Sequence, residues 1–369
     1  MSIQAVGERG PGAPKALGIM HDPLIIPLII FQLISLFSAC SSVNPKEDET
    51  EAYRNALWSE LPGPNVHLTD LESGAFNRYV ADFRARMGPA PEHDEYLGRV
   101  PSGREEIFIH ALALRPGNDG RRDGTGGNSD GNTEKSGGIR RGTAFVFHGF
   151  ASESSRYSAL SAALLREGWN VLLVDLPGHG LSTGKRGHAA DFSLYGDAVH
   201  QTLQNVSAYL GGPYVAIGHS TGALAIMDYS VRYEQAFHRV VFFAPLVRTV
   251  YWPVLRFVRT ITSPWIHSLR AFSTSDLGLR VFPVAWFDGL VKWNKDMQSR
   301  KSLGLPATLL LQAQKDSVVD NKFNLDFVKK RTPAGLSYRR LLGADHYNIE
   351  SINPDPEMLN EILRFIAKP

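Results

Sequence analysis

A serine between small residues stands in a context that could support nucleophilic chemistry. Gly218-His219-Ser220-Thr221-Gly222 follows the apolar run PYVAI and opens the helix-like run TGALAIMDYS. A serine on a sharp strand-to-helix turn needs small residues two positions away on each side, because the backbones crowd there. In a chain with 34 glycines the pentapeptide could arise by chance, but the strand before it and the helix after it are the context that a nucleophile elbow requires. The sequence therefore predicts Ser220 as a nucleophile.

An acid and a base are expected after this serine, in that order along the chain. Asp316 follows the apolar run ATLLLQAQ at a predicted strand end, and His346 is the only histidine that comes after it. Asp320 and Asp345 are the alternative acids; Asp345 adjoins His346, and neighbouring side chains usually diverge. We predict that His346 takes the Ser220 proton and later returns it to the leaving group, while Asp316 fixes the tautomer of the imidazole.

Two backbone N–H groups are candidates for stabilising a tetrahedral oxyanion. The N–H of Thr221 lies at a helix N-terminus, where the helix dipole favours negative charge. The second donor should come from the loop after an earlier strand, and His148-Gly149-Phe150 follows TAFVF, so we assign it to the N–H of Phe150. His148 is rejected as the base because it precedes the serine, whereas this arrangement supplies its base last.

These residues must be positioned by the elements around them. From TAFVFHG onward, near-continuous apolar runs alternate with helix-like runs, which predicts an α/β fold with a mostly parallel sheet flanked by helices. EYLGRV and EEIFIHALAL are expected to form a hairpin before this sheet. Helix-like apolar spacing within residues 50–86 predicts a helix packed outside the main domain.

Between Leu246 and Leu303 the alternation breaks. This segment is rich in aromatic residues, including Trp252, Trp265, Trp286 and Trp293. We interpret it as a mostly helical cap inserted between core strands, above the sheet edge where open α/β sheets bind ligands. A small helical subdomain that serves stability alone is the alternative.

The segment HGFASESSRYSALSAALLREGWNVLLVDLPGHGLSTGKRGH, together with GHSTG, QKDSVVD and GADH, resembles the monoacylglycerol lipase and lysophospholipase branch of the α/β-hydrolases, the group similar to serine aminopeptidase S33. The resemblance runs from about residue 105 to the C-terminus and is weakest in the cap. It implies the α/β-hydrolase fold, a Ser220–Asp316–His346 triad and an oxyanion hole at Phe150 and Thr221. The matched segments also contain three residues to which the resemblance gives a structural role: Asp175, His179 and His188.

The resulting division of the chain has four parts. Residues 1–39 are a leader, and residues 40–94 are a tether with a helical extension. Residues 95–245 and 304–369 form the hydrolase core, and residues 246–303 form the cap. Within the core, residues 117–138 are polar and glycine-rich, which predicts a disordered insertion because such a segment cannot bury enough surface to offset its ordering entropy.

The leader contains an uncharged apolar run, Leu24–Phe37, with Arg9 and Lys15 upstream and small residues just before Cys40. The run is too short to span a ~30 Å hydrocarbon core comfortably, but it suits a secretory signal. It resembles a bacterial lipoprotein signal, although Phe37 replaces the usual aliphatic residue. This predicts a lipid-modified Cys40 and a protein anchored to the membrane of the bacterial cell envelope. The alternatives are an uncleaved N-terminal anchor, or a buried apolar segment in a cytoplasmic protein.

Composition sets broad limits on function. A net charge of +2, 43% hydrophobic residues and 21% charged residues are typical of a globular protein and give no reason to expect a nucleic-acid partner. With one cysteine there is no intrachain disulfide, and we find no motif for a metal or another cofactor. We expect a serine hydrolase of carboxylic esters with hydrophobic acyl chains, of the monoacylglycerol or lysophospholipid type. An S33-like aminopeptidase or amidase, or a non-catalytic envelope lipoprotein on a hydrolase scaffold, are the alternatives.

Overall fold

In the computed structural model, the described strands form a mixed sheet that is flanked by helices. The described residues are 52, 66–67, 74–87, 93–101, 108–116, 141–207, 210–262, 267–270, 277, 279, 281–332 and 335–368. The strands are β1 (Val66–His67), β2 (His93–Pro101), β3 (Phe108–Pro116), β4 (Gly142–Phe147), β5 (Trp169–Val174), β6 (Tyr214–His219), β7 (Phe237–Phe243), β8 (Ser268–Arg270), β9 (Val281–Pro283), β10 (Ala307–Ala313) and β11 (Leu336–Leu341). The helices are α1 (Gly74–Met87), α2 (Ser158–Arg166), α3 (Ser193–Val206), α4 (Thr221–Arg232), α5 (Trp252–Thr262), α6 (Val284–Ser299), α7 (Asn321–Arg331) and α8 (Pro356–Ile366).

The central sheet confirms the predicted α/β fold. Its described strands lie in the order β1-β2-β3-β5-β4-β6-β7-β10-β11. The six strands from β5 to β11 in this order pair in parallel, whereas β1, β2 and β3 pair antiparallel at the other edge. Every residue of β4 and β5 is buried, as expected for parallel strands covered on both faces.

The strand order reverses direction at β4. The chain passes from β4 to β5 on one side and then returns to place β6 on the other side of β4. A crevice outside the carboxyl ends of the strands is expected at such a reversal, and it is where open α/β sheets bind ligands. The loops that follow β4 and β6 carry Phe150 and Ser220 respectively, so the topology brings the two predicted segments to one place.

The predicted hairpin before the parallel sheet is confirmed. Strands β2 and β3 pair antiparallel, from His93 opposite Pro116 to Pro101 opposite Phe108. The glycine-rich segment 117–138, predicted as a disordered insertion, lies outside the described residues and falls in the chain between β3 and β4.

The helix that was predicted to lie outside the main domain packs against that domain's core. In α1 the side chains of Tyr79, Phe83 and Met87 recur every four residues along one face and are buried in the main hydrophobic core. The helix packs against α2 and the 3-10 turn Ser154–Tyr157. The prediction was wrong about its location because the pattern gives the apolar face but not the surface that this face covers.

Among the described residues of 246–303, the segment predicted to be a cap, there are two helices and a two-stranded ribbon. Helices α5 and α6 flank an antiparallel pair, β8 with β9, which the prediction of a mostly helical segment did not anticipate. The indole N–H of Trp293 on α6 donates to Asp228 of α4 (3.0 Å), which attaches this helix to the core, and the amide of Asn294 donates to the carbonyl of Val247 at the start of the same segment (2.9 Å). Trp265 lies outside the described residues.

Candidate active site

Ser220 occupies a strained turn between β6 and α4. Its φ is +49° and its ψ is −107°, a region that residues with a Cβ rarely adopt. The backbone N–H of Ser220 donates to the carbonyl of Phe243 on β7 (3.0 Å), which helps to hold the turn. The side chain is buried, with 4% of the residue exposed. The structure thus has the strained serine turn that the pentapeptide predicted.

The glycines on either side of Ser220 meet the crowding that the pattern implied. A Cβ atom on Gly218 would lie 2.6 Å from the backbone nitrogen of Ala223, and one on Gly222 would lie 2.1 Å from the carbonyl oxygen of Phe147. Both distances are far below van der Waals contact. The start of α4 can therefore lie against the end of β4 only because Gly222 has no side chain.

The two predicted oxyanion donors lie on the segments that surround this turn. Thr221 is the first residue of α4, so its N–H is at the positive end of the helix dipole. Phe150 follows Gly149, and a Cβ on Gly149 would lie 3.4 Å from the Cβ of Ser220. The loop after β4 therefore passes directly beside the serine, which is the position that a second oxyanion donor requires.

His346 and Asp316 meet by hydrogen bonding. The Nδ1 atom of His346 lies 2.8 Å from Oδ2 of Asp316, and 4% of the His346 side chain and none of the Asp316 side chain is exposed. The other oxygen of Asp316 accepts the backbone N–H groups of Val318 (2.8 Å) and Val319 (3.0 Å). These bonds fix the carboxylate, and the carboxylate in turn fixes the imidazole.

The environment adjusts the protonation of this pair. Burial lowers the pKa of His346 below its ordinary value of 6.5, against the opposing effect of its hydrogen bond to Asp316. Burial would raise the pKa of Asp316, but the hydrogen bond and charge of His346 and the two backbone N–H groups outweigh it, so this pKa lies below 3.8. At neutral pH the pair is a neutral imidazole beside an ionised carboxylate, which is the state required of a general base and its partner.

The alternative acids and the rejected base have other partners. Asp320 caps α7 by accepting the N–H of Phe323 (3.0 Å), and the exposed Asp345 accepts the N–H of Tyr347 (2.9 Å). His148 is fully buried, and both of its ring nitrogens are engaged: Nε2 accepts the N–H of Leu176 (2.9 Å) and Nδ1 lies 2.7 Å from the carbonyl of Gly149. Among the three acids, the contact with His346 is made by Asp316.

The three residues expected to be structural lie in the loop region after β5 and make the following contacts. The carboxylate of Asp175 accepts the N–H groups of Ser154 (2.7 Å) and Leu181 (2.9 Å), so it ties the loop after β5 to the turn before α2. The Nδ1 atom of His179 lies 3.0 Å from the carbonyl of Pro177. His188 is in the same loop region, and its backbone N–H donates to Lys185 (3.0 Å).

Sequence analysis did not identify a buried polar network next to Ser220. Tyr157, His219 and Glu350 meet there: the Tyr157 hydroxyl lies 2.8 Å from Nδ1 of His219 and donates to Glu350 (3.1 Å). Arg156 donates to the same carboxylate (3.3 Å). The only available signal was weak: Glu350 follows His346 by four residues, and His219 precedes Ser220.

The described part of the chain shows neither a metal site nor a membrane-spanning helix. Among the residues that the structure describes, no group of three or more His, Cys, Asp or Glu side chains is arranged to hold a metal ion. Nor does any described helix combine the length and apolar character needed to cross a membrane. The predicted lipidation site, Cys40, and the apolar run Leu24–Phe37 lie outside the described residues.

The sheet, its strand order and the strand-end site define an α/β-hydrolase. A family model described as serine aminopeptidase, S33 (Hydrolase_4) matches residues 138–347. This match covers more than half of the chain, and the protein belongs to that family. It includes Ser220, Asp316 and His346.

Curated relatives are similar over shorter segments. A monoacylglycerol lipase of Mycolicibacterium smegmatis is 31% identical over 109 residues, which are 29% of this chain and 39% of that protein. The phospholipase YtpA of Bacillus subtilis is 31% identical over 84 residues, which are 23% of this chain and 32% of that protein. The matches thus span about a third of the length of each relative.

A solved structure extends the similarity in fold. A soluble variant of monoglyceride lipase from Saccharomyces cerevisiae superposes with a TM-score of 0.56 at 13% identity, covering 76% of this chain and 94% of that one. At this identity the superposition establishes the fold alone.

Proposed function

We propose that the protein is a serine hydrolase that cleaves carboxylic esters of hydrophobic acyl chains, of the monoacylglycerol or lysophospholipid type, through an acyl-enzyme on Ser220. The observation that carries this proposal is the His346–Asp316 hydrogen bond of 2.8 Å at the sheet edge where Ser220 occupies its strained turn. A nucleophile, a base and the partner that orients the base are the minimum set for this chemistry.

In the first half-reaction, Oγ of Ser220 attacks the ester carbonyl carbon while Nε2 of His346 takes the hydroxyl proton. The carbonyl oxygen becomes an oxyanion, and the N–H groups of Phe150 and Thr221 stabilise it. The tetrahedral intermediate then collapses: the C–O bond to the alcohol breaks, and His346 gives its proton to the departing alcohol. The second half-reaction repeats these steps with water in place of the serine, which releases the acid and restores Ser220.

The loop after β4 carries Phe150 and is called the oxyanion loop here. An aromatic surface beside it favours a substrate with a hydrophobic acyl chain. The half-buried ring of Phe150 lies 4.3 Å from that of Trp286 and 5.2 Å from that of Phe282, measured between ring centroids. Phe282 and Trp286 belong to the cap. We propose that the apolar chain attached to the reacting carbonyl packs against this surface, where each CH₂ group that it buries contributes about 0.8 kcal/mol. The names of the two curated relatives agree with such a substrate.

An aminopeptidase would instead need a carboxylate to bind the ammonium group of its substrate. Among the described cap residues, Asp288 is paired with Arg259 (2.7 Å) and Asp296 with Arg300 (3.2 Å). Acidic groups already paired with arginine are poor partners for a second cation. The cap chemistry therefore favours ester over aminoacyl substrates.

The experiment is a substrate profile of the purified protein with a Ser220→Ala control. p-Nitrophenyl esters of increasing chain length, monoacylglycerols, lysophospholipids and aminoacyl amides are compared by kcat/KM. We expect ester cleavage that rises with chain length and is lost in Ser220→Ala. Preferential cleavage of aminoacyl amides would support the aminopeptidase alternative, and no turnover by the folded protein would support the non-catalytic one.

We further propose that Cys40 carries lipid and anchors the enzyme in a bacterial cell envelope, next to its substrates. The apolar run and the small residues before Cys40 support this proposal. A single acyl chain binds membranes only marginally, so more than one chain is expected on the cysteine. Cys40→Ser expressed in a bacterial host should leave the membrane fraction, whereas membrane retention equal to wild type would indicate an uncleaved anchor.

A further inference from the structure

Glu350 is a buried carboxylate next to the candidate base. It ends the 3-10 turn Asn348–Glu350, four residues after His346, and 4% of its side chain is exposed. Its oxygens accept the Tyr157 hydroxyl (3.1 Å) and Nε of Arg156 (3.3 Å), and one lies 3.1 Å from Nδ1 of His219. A buried charge is unfavourable unless it is paired in this way.

The surroundings of Glu350 and Tyr157 shift the pKa of each group away from neutral pH. Burial opposes ionisation of Glu350, but the hydrogen bond and charge of His219 and the charge of Arg156 lower its pKa to about 2. Burial and the neighbouring Glu350 raise the pKa of Tyr157 well above 10. Glu350 is therefore an ionised acceptor, and Tyr157 keeps the proton that it donates.

The Tyr157 hydroxyl connects the Glu350 carboxylate to the oxyanion loop by hydrogen bonds. A phenol has one proton to donate and two lone pairs that accept. With its proton on Glu350, the Tyr157 oxygen accepts the backbone N–H of Gly149 (3.1 Å) and lies 2.8 Å from Nδ1 of His219. The N–H of Gly149 belongs to the His148–Gly149 peptide, which directly precedes the Gly149–Phe150 peptide that carries the proposed oxyanion donor, so the bond to Gly149 fixes the loop immediately before that donor.

The same carboxylate is coupled to the base. The ring of His219 lies 4.9 Å from the ring of His346 between centroids. A Cβ on Gly149 would lie 3.0 Å from Nδ1 of His219, so the His219 ring is packed between the oxyanion loop and the base. Glu350 and His346 also belong to one short segment of chain, and moving the carboxylate would move both groups.

We propose that Glu350 is a positioning residue of the hydrolase: through Tyr157 and His219 it holds the loop at Gly149, just before Phe150, and the His346 ring in a fixed relation to Ser220. This proposal rests on the proposed function. Because the positioned groups act on the tetrahedral intermediates of both half-reactions, the network contributes to transition-state stabilisation and not to binding of the acyl chain.

The test compares Glu350→Gln with wild type using a soluble p-nitrophenyl ester. The glutamine keeps a hydrogen-bond acceptor but removes the charge. We expect kcat and kcat/KM to fall together by about tenfold or more, with KM changed by less than about twofold, because small displacements of catalytic groups are costly. Asp228→Asn is the matched control: Asp228 is another buried carboxylate paired with arginine, through Arg232 at 3.0 Å, and it should keep the wild-type kcat.

Tyr157→Phe provides a second variant, which retains the aromatic ring if Glu350→Gln does not fold. It should reproduce the loss of kcat, and the double variant should lose no more than the larger single loss, because both residues act through one chain of contacts. Independent, multiplicative losses would overturn the proposal. A folded Glu350→Gln with wild-type kcat would also overturn it. In that case Ser220→Ala would still be inactive, and the proposed function would stand.

Hydrogen exchange tests the positioning without relying on turnover. In Glu350→Gln, the backbone amides of residues 148–151 should exchange faster than in wild type, while Asp228→Asn should leave them unchanged. Unaltered exchange of this loop would contradict the proposal whether or not the protein hydrolyses esters.

Discussion

Asp316 and His346 are joined in a way that determines which nitrogen can act as the base. Nδ1 of His346 lies 2.8 Å from Oδ2 of Asp316, and this carboxylate is ionised because its pKa lies below 3.8. An ionised carboxylate only accepts, so the Nδ1 proton is donated to it. Nε2 then has a free lone pair, and we propose that this lone pair accepts the Ser220 proton.

This relationship predicts a pH dependence. Protonated His346 cannot accept a proton, so activity requires the neutral ring, and burial places the pKa of His346 below 6.5. We expect kcat/KM to rise with pH through an apparent pKa below 6.5 and to be constant above it. Initial rates of ester hydrolysis across pH 4–9 measure this profile; a midpoint above 7 would contradict it.

Removing the carboxylate that orients His346 should lower kcat strongly. Asp316→Asn presents an amide where the imidazole needs an anion, and a wrong tautomer lowers kcat by ~10⁴-fold in other triads. Asp320→Asn is the control, since Asp320 caps α7 and an asparagine caps a helix equally well, so this variant should keep both its stability and its activity. If Asp316→Asn and Asp320→Asn had equal activities, Asp316 would not be the acid that orients His346.

The crowding around the serine turn predicts a large effect from a single methyl group. In Gly222→Ala the new Cβ would meet the carbonyl oxygen of Phe147 at 2.1 Å, whereas a Cβ on the exposed Gly211 would have nothing within 4 Å. Overpacking of this kind typically costs about 1–3 kcal/mol. We expect Gly222→Ala to unfold at lower urea concentration and to lose activity, while Gly211→Ala changes neither. Similar behaviour of the two variants would show that the turn tolerates a side chain.

The aromatic surface predicts that selectivity for chain length resides in the cap. Phe282→Ala removes the ring that lies 5.2 Å from Phe150, so long acyl chains should lose contact area that an acetyl group never covers. We expect kcat/KM for a dodecanoyl ester to fall about tenfold more than that for an acetyl ester. Phe257, which is 60% exposed on α5, is the control, and Phe257→Ala should leave the ratio for soluble esters unchanged. A uniform loss on all esters in Phe282→Ala would place the acyl site elsewhere.

Asp228 predicts a pH-dependent stability that is separate from catalysis. Burial raises its pKa from 3.8 to about 6, against Arg232 and Trp293, so the folded state binds this proton more tightly than the unfolded chain does. The contribution of Asp228 to wild-type stability should therefore fall as pH rises from about 4 to about 6, by on the order of 2 kcal/mol. In Asp228→Asn the side chain stays neutral, so its unfolding free energy relative to wild type should rise over that window and then stay constant. Urea unfolding of both proteins at pH 4 and pH 7 measures this difference. The same difference in unfolding free energy between variant and wild type at the two pH values would contradict the prediction.

Much of the fold and part of the site could be predicted because the signals are local. Ser220 and Asp316 each follow an apolar strand within a few residues, and chain order then selects His346. The network around Glu350 has no such signal, since Tyr157 and Glu350 are separated by 193 positions and meet only after the sheet has formed. The placement of α1 was missed for the same reason: its apolar face is visible in sequence, but its partner surface on α2 is not.

Mapping the site of covalent labelling with a fluorophosphonate, which phosphonylates an activated serine, is the most direct test of Ser220 as the nucleophile. The purified, folded protein is treated with the probe, digested and analysed by mass spectrometry, with Ser220→Ala treated in parallel. We predict a single adduct on the peptide that contains Ser220 and none in Ser220→Ala. No adduct on the folded wild type, or equal labelling of Ser220→Ala, would contradict the assignment of Ser220 as the nucleophile.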